Sequence, residues 1–484
     1  MDKYIIGVDN GTQSTKVLIF NQKGEVVAQE SQPLKPMIHR QSGWVEHPDD
    51  DLWDSIKAVL KTVMGKFSGD KAQIAGLGLC TIRCCRVFMK KDGTLAEPVM
   101  SWMDVRSYAP FEDREDIAYT CPTTGYVTYK LTGELKDTAA NAFQWQLPID
   151  VKTWNWSADK EYFSSFKIPR EKLLELQMPG TILGYVSAEA AAETGLPAGL
   201  PVVATGNDKA VEALGAGLVE KNTGLVSCGT YLASMVHGDA YIADSKNFWT
   251  NLSCVPNEYL YESSGIRYGM RHVSWFKEII GEEFEKMAKS QGFSAEEYLA
   301  KEAADVSAGS GGLLIIPDWL APATELHRKG LILGLSDLTK RSHIYKAILE
   351  GIVMTVCNNY NAMVGELGIA PQKVIISGGG SNSELMMQIF ADCLGVTTVR
   401  NEVNGAVAMG SALCVAVATG LYSGFREAVD NMVKKRDEFA PNVENHQVYA
   451  RINNGIYREL PKLMENILKQ AQMPACIQPP MDTA

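Results

Sequence analysis

Glycine and polar side chains follow strand-like apolar runs at three separated places in the sequence. A glycine turn of this kind leaves backbone N–H groups free to bind phosphate, and a carboxylate at a strand end can hold Mg²⁺ through water. A hairpin turn or a plain strand end has the same pattern, so both interpretations stay open. The residues are Asp9, Gly11, Thr12 and Gln13 in the first turn, Gly229 and Thr230 in the second, and Gly378, Gly379 and Gly380 in the third.

Two common phosphate-binding signatures are absent from the sequence. The pattern GxxxxGK[ST] does not occur, and no second glycine follows Gly11 at the spacing of GxGxxG. A phosphate site in this chain would therefore be built differently, with two glycine turns facing each other across a cleft.

Asp208 is the acidic residue that stands out next. It follows a strand and Gly206, and it opens an apolar helix. An aspartate at this position can cap the helix N-terminus. It can also act as the base that accepts a hydroxyl proton during phosphoryl transfer. The residue types alone do not decide between these roles.

The elements that must position these residues alternate along the chain, which predicts the α/β class. Apolar residues at helical spacing predict helices over 49–67, 342–367 and 383–394, and residues 14–27 predict a β-hairpin with a Lys-Gly turn. The recurring strand-then-glycine pattern indicates an internal duplication. A second domain is expected to begin near residue 240.

Composition limits the classes of function. The chain has 484 residues, a net charge of −11 and a pI near 5.3, which argue against a dedicated nucleic-acid binder. The ten cysteines show no CxxC spacing and no HExxH motif occurs, so we expect reduced thiols in a cytoplasmic protein without a zinc site. The uncharged stretch 405–425 is rich in small residues, which favours a buried helix over a membrane span.

Several motifs together resemble the FGGY carbohydrate kinases, in the actin, Hsp70 and sugar-kinase superfamily. One segment meets every fixed class of the family's C-terminal signature. It consists of Gly330–Leu335, seven further residues, His343-Ile344, two further residues and Ala347–Glu350. The resemblance covers nearly the whole chain. Further blocks in the family's order are Gly7–Thr12, Gly43–Pro48, Trp102–Arg106, Gly206–Asp208, Ser377–Ser383 and Glu402–Gly410.

This resemblance implies two actin-like (ribonuclease H-like) domains separated by a cleft, with ATP and Mg²⁺ as cofactors. Residues 1–240 would form the N-terminal domain with the sugar side and the base, and residues 241–484 the mainly ATP-binding C-terminal domain. The implied site residues are Asp208 as base, Asp9 for Mg²⁺, Gly11, Thr12 and Gln13 near the γ-phosphate, Gly229 and Thr230 at the β- and γ-phosphates, Gly379, Gly380 and Asn382 beside the adenosine, and Arg83, Trp102 and Asp104 at the sugar.

The sequence departs from the family pattern at the sugar side. Ile82-Arg83-Cys84 stands where glycerol kinases carry Gln-Arg-Glu, and the Gln-Met-His-Gly of xylulose kinases is also missing. Only about 25 residues separate Arg106 from Lys130, where the family has several tens more. Arg83 and Arg86 would suit an acidic sugar or a phosphate, although a surface position is the favoured interpretation for Arg86.

The leading hypothesis is ATP-dependent phosphorylation of a hydroxyl of a small sugar, polyol or sugar acid. The alternative is a sugar- or nucleotide-binding sensor that keeps the fold without turnover. A filament or chaperone ATPase would share only the phosphate turns. Expected partners are a small-molecule sugar and a second copy of the chain in a homodimer, with no nucleic acid and no membrane. The sequence does not name the sugar.

Overall fold

The computed structural model describes residues 3–143, 147–320, 325 and 327–471 of the chain. Its strands are β1 (Tyr4–Asn10), β2 (Ser14–Asn21), β3 (Val26–Pro33), β4 (Ile74–Thr81), β5 (Val87–Met89), β6 (Tyr119–Cys121), β7 (Lys136–Thr138), β8 (Ile149–Asp150), β9 (Asn155–Trp156), β10 (Glu175–Gln177), β11 (Ile182–Tyr185), β12 (Pro201–Val203), β13 (Thr223–Cys228), β14 (Leu232–Gly238), β15 (Phe248–Leu252), β16 (Tyr259–Ser263), β17 (Leu314–Ile316), β18 (Leu331–Leu333), β19 (Lys373–Ser377), β20 (Thr397–Asn401) and β21 (Lys435–Phe439).

The three helices predicted from apolar periodicity are confirmed as α1, α10 and α11, each within two residues of its predicted ends. The helices are α1 (Asp51–Lys66), α2 (Thr123–Thr132), α3 (Ala139–Ala142), α4 (Lys160–Ser165), α5 (Ala188–Thr194), α6 (Asp208–Gly215), α7 (Arg271–Ile280), α8 (Glu282–Ser290), α9 (Ala295–Ala304), α10 (Arg341–Leu367), α11 (Glu384–Leu394), α12 (Ala406–Ala418), α13 (Phe425–Met432), α14 (Val443–Gly455) and α15 (Leu460–Gln470).

Two large sheets organise the strands, which confirms the α/β class. The first has the order β11-β12-β4-β1-β2-β3 and the second β15-β16-β14-β13-β19-β20-β21. In the first sheet β1 pairs antiparallel with β2 and parallel with β4. In the second, β13 pairs antiparallel with β14 and parallel with β19. The two sheets thus repeat one local plan, as the internal duplication predicts.

The predicted hairpin is formed by β2 and β3, which pair antiparallel. Gly24 of the Lys-Gly turn has a φ of 79°, a left-handed conformation that glycine adopts without a steric penalty. The first glycine turn also joins antiparallel strands, β1 and β2, with Gly11 N–H donating to Ser14 O at 3.0 Å. The hairpin interpretation of that turn is therefore correct, and it leaves the phosphate interpretation open.

Helix α12 packs between the halves of the chain. A Cβ added at Gly7 of β1 would lie 2.0 Å from Ala408 O, and one added at Gly410 would lie 2.0 Å from Val211 O. The helix therefore lies directly against the first sheet and against α6, with its apolar side chains in the core. This confirms the buried helix predicted within 405–425. No helix among the described residues is long and apolar enough to cross a membrane.

Strands β13 and β14 both precede residue 240, yet they lie in the middle of the second sheet. The division into residues 1–240 and 241–484 stays a prediction. All nine cysteines within the described part of the chain are free thiols, and Cys476 lies outside the described residues.

Candidate active site

The carboxyl ends of β1, β13 and β19 border a single cavity of about 700 Å³. Strand ends from both sheets meet here because β1 and β13 occupy equivalent positions in their sheets. The start of α12 forms another part of the wall. Residues lining the cavity include Asp9, Lys16, Lys209, Glu212, Gly229 and Gly378.

Asp9 stands at the end of β1 and faces Lys16 across the β1–β2 ladder. Burial raises the pKa of Asp9 to about 6, with Lys16 opposing the rise and the carboxylates of Asp208 and Glu212 adding to it. A carboxylate beside two other acids is a favourable place for a cation. No group of three or more His, Cys, Asp or Glu side chains suited to a metal occurs among the described residues. A Mg²⁺ ion at Asp9 would accordingly complete its shell with phosphate oxygens and water, as Mg²⁺ does in nucleotide sites.

Gly229 and Gly379 leave open space beside their backbones. A Cβ added at either residue would meet no atom within 4 Å, so a side chain would fill space that a phosphate or nucleotide can approach. Gly380 differs, because its added Cβ would lie 2.8 Å from Cys228 Cβ. Gly380 is buried in the second half rather than open to the cavity. The bare backbone at Gly229 and Gly379 fits the phosphates and nucleoside of ATP.

The remaining residues expected at the nucleotide do not line this cavity themselves, but each neighbours a residue that does. Thr12, Gln13 and Thr230 lie in the turns that follow β1 and β13, beside Asp9 and Gly229 respectively. The Asn382 Oδ1 atom accepts a hydrogen bond from Asn404 Nδ2 at 3.1 Å, and Asn404 lines the cavity. The structure thus brings the three glycine turns to the same region of the molecule.

Asp208 is the first residue of α6, and it does not cap that helix. The cap is Asn207, whose Oδ1 accepts the Ala210 N–H at 3.0 Å. The Asp208 side chain is 32% exposed, and its Oδ1 lies 3.4 Å from Arg83 Nε. Burial among protein atoms raises the pKa of Asp208, while the charges of Arg83 and Lys209 oppose the rise. The same Asp208 Oδ1 accepts the Lys209 N–H at 2.9 Å, so the carboxylate bonds one backbone group of the first turn while Asn207 serves as the cap. The part-exposed Asp208 carboxylate is therefore still open to the cleft for chemistry.

Lys209 and Glu212 form a buried network that sequence reasoning missed. The Lys209 side chain is 11% exposed, and its Nζ lies 3.0 Å from Glu212 Oε2 and 2.6 Å from Ser227 Oγ. Ser227 Oγ donates to Glu212 Oε2 at 2.7 Å, and Ser377 also bonds Glu212. Burial lowers the pKa of Lys209, but the negative charges of Glu212 and Asp208 raise that pKa by more. Lys209 therefore keeps its positive charge.

A sequence signal for this network existed. Lys209 and Glu212 are three residues apart on the helix that Asp208 opens, so they share a face. Ser227 stands two positions before Gly229, and Ser377 stands directly before Gly378. The network thus ties the helix of the candidate base to the strand ends of the second sheet.

The predicted sugar-side residues are placed unequally. Arg83 reaches Asp208, and both its terminal nitrogens donate to Glu262 at 2.8 Å. Trp102 is half-buried against the core of the first sheet. Asp104 is 0% exposed, and its oxygens accept the Val45 N–H at 2.7 Å and bonds from Arg106. In this structure the Asp104 carboxylate supports the loop through these bonds, and its contact with the sugar stays a prediction.

The favoured surface position of Arg86 is wrong. Arg86 is 5% exposed, and its guanidinium lies 5.0 Å from the centre of the Phe88 ring. It donates to Ala109 O at 2.7 Å. The side chain is buried because aromatic faces and a loop carbonyl receive it, which the sequence around Arg86 does not reveal. The neighbouring Cys85 is buried, whereas Cys84 is half-buried.

Comparisons with known proteins agree with this arrangement. Residues 4–116 and 111–215 match the N-terminal domain of the FGGY family of carbohydrate kinases, and residues 224–419 match its C-terminal domain. The uncharacterized sugar kinase YgcE of Escherichia coli is 44% identical over 471 residues, covering 97% of this chain and 95% of that protein.

Two solved structures share the architecture. A xylulose kinase from Rhodospirillum rubrum superposes with a TM-score of 0.79 at 24% identity, covering 96% of this chain and all of that one. A gluconate kinase from Lactobacillus acidophilus gives a TM-score of 0.83 at 17% identity, covering 98% of this chain and all of that one. At these identities the likeness establishes the fold, and the two expected actin-like domains are confirmed.

Proposed function

Because the chain belongs to the FGGY family of carbohydrate kinases, which are phosphotransferases with an alcohol group as acceptor, we propose the following reaction. The chain transfers the γ-phosphoryl group of ATP, with Mg²⁺, to a hydroxyl of a small sugar, polyol or sugar acid. Asp208 is the general base. A homodimer stays part of the proposal and is checked by light scattering.

The observation that carries this proposal is the position of the first turn of α6. Asp208 meets Arg83 on the side of the first sheet, while the next residue, Lys209, lines the cavity shared with Asp9 and Gly229. A base and a cavity of the size that holds small-molecule ligands and cofactors therefore adjoin at one helix start. That is the arrangement an in-line transfer between hydroxyl and phosphate requires.

In this proposal the cavity residues hold the donor. Asp9 would bind Mg²⁺, and the turns at Gly11–Gln13 and Gly229–Thr230 would offer backbone N–H groups to the phosphates. Gly379 and Asn382 would lie beside the adenosine, and the buried Gly380 would support the turn that carries them. Bound MgATP supplies the phosphoryl group and a cation that neutralises its oxygens.

The chain's own residues perform the remaining tasks. The Asp208 carboxylate accepts the proton of the substrate hydroxyl, and its raised pKa makes it a stronger base than a solvated aspartate. Lys209 places a fixed positive charge next to the transfer path, where phosphate charge must be balanced. Trp102 gives an apolar wall for a sugar ring, with Asp104 positioning the loop that carries it.

Release of ADP from ATP and Mg²⁺ tests the proposal across a panel of ketoses, aldoses, polyols and sugar acids. We expect at least one compound to raise ADP release well above the rate without sugar, and EDTA to abolish the increase. A panel in which every compound leaves the rate at the sugar-free level, although ATP binds, would count against a kinase of these substrates.

A further inference from the structure

One ion pair at the cleft joins the two sheets. Arg83 follows β4 of the first sheet by two residues, and Glu262 lies in β16 of the second. The Arg83 Nη1 and Nη2 atoms each donate to one Glu262 oxygen at 2.8 Å, a bidentate pair. The Glu262 side chain is 1% exposed. A buried carboxylate of this kind is stable only with a partner, so the pair fixes Arg83 relative to the second sheet.

The same guanidinium faces the candidate base. Arg83 Nε lies 3.4 Å from Asp208 Oδ1, and the guanidinium carbon lies 5.1 Å from the centre of the Trp249 ring. Because the guanidinium is planar and its donors form a fixed fork, locking two nitrogens on Glu262 also fixes the direction of the third. That third nitrogen, Nε, stands at ion-pair distance from the Asp208 carboxylate.

We propose that Arg83, held by Glu262, is a positioning residue that orients the Asp208 carboxylate for proton acceptance and makes its position depend on the second sheet. The inference rests on the proposed function, because it assigns Asp208 the role of base. It gives Arg83 a role other than the sugar contact that the family resemblance implies. It also directs the bidentate donors of Arg83 to Glu262 instead of a substrate carboxylate.

The charges around Asp208 determine in which direction each substitution should shift the pKa of Asp208. The positive charge of Arg83 lowers the pKa of Asp208, and the negative charge of Glu262 raises it. Removing Arg83 should therefore move the acidic limb of the kcat profile to higher pH, and removing the Glu262 charge should move it to lower pH. The other groups facing Asp208 are Lys209, Glu212, Asp9 and the thiols of Cys80, Cys84 and Cys85.

The first experiment measures kcat and the KM for ATP in Glu262→Gln, Arg83→Met and Arg83→Lys, with the most active panel compound. We expect kcat to fall about 10- to 100-fold, since misplacing a reacting group by about an ångström has effects of that order, with the KM for ATP within about threefold of wild type. The acidic limbs of Arg83→Met and Glu262→Gln should move in opposite directions. In Arg83→Lys the acidic limb of the pH profile should stay at its wild-type position, because the positive charge is kept. Its kcat should still fall, because an ammonium group cannot form the bidentate pair with Glu262.

A matched control is Glu302→Gln, which breaks a similar bidentate pair with Arg341 outside the cleft. Its kinetic parameters should stay at wild-type values. Should Glu262→Gln fail to fold, Glu262→Asp keeps the charge, shortens the side chain and tests the same geometry.

The second experiment needs no substrate. A double-mutant cycle of Glu262→Gln and Asp208→Asn, followed by thermal unfolding, should give a double variant whose Tm loss differs from the sum of the single losses, because Arg83 couples the two sites. Additive Tm changes together with wild-type kcat in the Arg83 and Glu262 variants would overturn the positioning role. An active Asp208→Asn enzyme would instead refute Asp208 as the base, and thus the proposed function.

Discussion

Asp208 and Lys209 are neighbours in the sequence whose side chains meet different partners. Asp208 faces Arg83, which Glu262 binds, whereas Lys209 is bound by Glu212 and Ser227 beside the cavity. The start of a helix separates two adjacent side chains in this way, so one short segment can serve both the acceptor and the donor. At the scale of residues, the proposed reaction depends on this pair.

Lys209→Met should lower both stability and turnover. The substitution leaves the Glu212 charge buried without its cation, which for a buried ion pair costs about 3–5 kcal/mol. The double variant Lys209→Met/Glu212→Met removes both charges, and it should recover most of the unfolding free energy, measured by chemical denaturation. Turnover should stay low in the double variant, because the charge at the cavity is still missing. Recovery of turnover along with stability would show that Lys209 is purely structural.

At the scale of elements, the close contact between α12 and α6 holds the helix of the base in place. Gly410→Ala would push a Cβ to within 2.0 Å of Val211 O, so the two helices must move apart. We expect a loss of about 3 kcal/mol or more in unfolding free energy, at the upper end for overpacking, and reduced kcat because α6 carries Asp208.

The matched control for this prediction is Gly365→Ala in α10, where an added Cβ meets nothing within 4 Å. Alanine favours the helix over glycine by up to about 1 kcal/mol, so this variant should be as stable as wild type or slightly more so. Equal stability of the two variants would contradict the tight packing of α12.

The strand β7 carries a pH-dependent contribution to stability. Burial raises the pKa of Asp137 from 3.8 to about 7, although Thr124 and the Thr138 N–H donate to its carboxylate. The folded chain thus keeps a proton on Asp137 that the unfolded chain releases above about pH 4. The stabilising contribution is complete below pH 4 and is lost as pH rises through 7.

Asp137→Asn should remove this part of the pH dependence. Between pH 4 and 8 the titration of Asp137 should lower the unfolding free energy of the wild type by on the order of 2–4 kcal/mol. In chemical denaturation, the unfolding free energy of the variant should depend correspondingly less on pH. A variant with the wild-type slope would place the responsible group elsewhere.

At the scale of the whole molecule, local patterns in the sequence were sufficient for the elements and insufficient for their long-range partners. Apolar periodicity predicts α1, α10 and α11 because each pattern lies within one continuous segment. The partner of Arg83 could not be predicted in this way, because Glu262 is 179 residues away and enters from the other sheet.

The same limit explains the other differences. An uncharged segment rich in small apolar residues, such as α12, indicates burial without indicating which surface it covers, and here it covers the first sheet. The motif around Asp104 predicts its place beside Trp102, but the loop turns the carboxylate inward to Val45 and Arg106. The site was thus predictable as a set of turns and acids, while its ion pairs were not.

The role of Asp208 as the base of a phosphoryl transfer is tested most directly by following the γ-phosphate of radiolabelled ATP in the wild type and in Asp208→Asn, using the panel compound that gives the most ADP. The proposed function predicts label in the sugar fraction for the wild type and about 100- to 10,000-fold slower transfer for Asp208→Asn, as expected when a general base is removed. Calorimetry should show the affinity of the variant for MgATP within about threefold of wild type, because Asp208 lies outside the residues proposed to hold ATP. Label released only as inorganic phosphate by the wild type, or wild-type transfer by Asp208→Asn, would contradict the account.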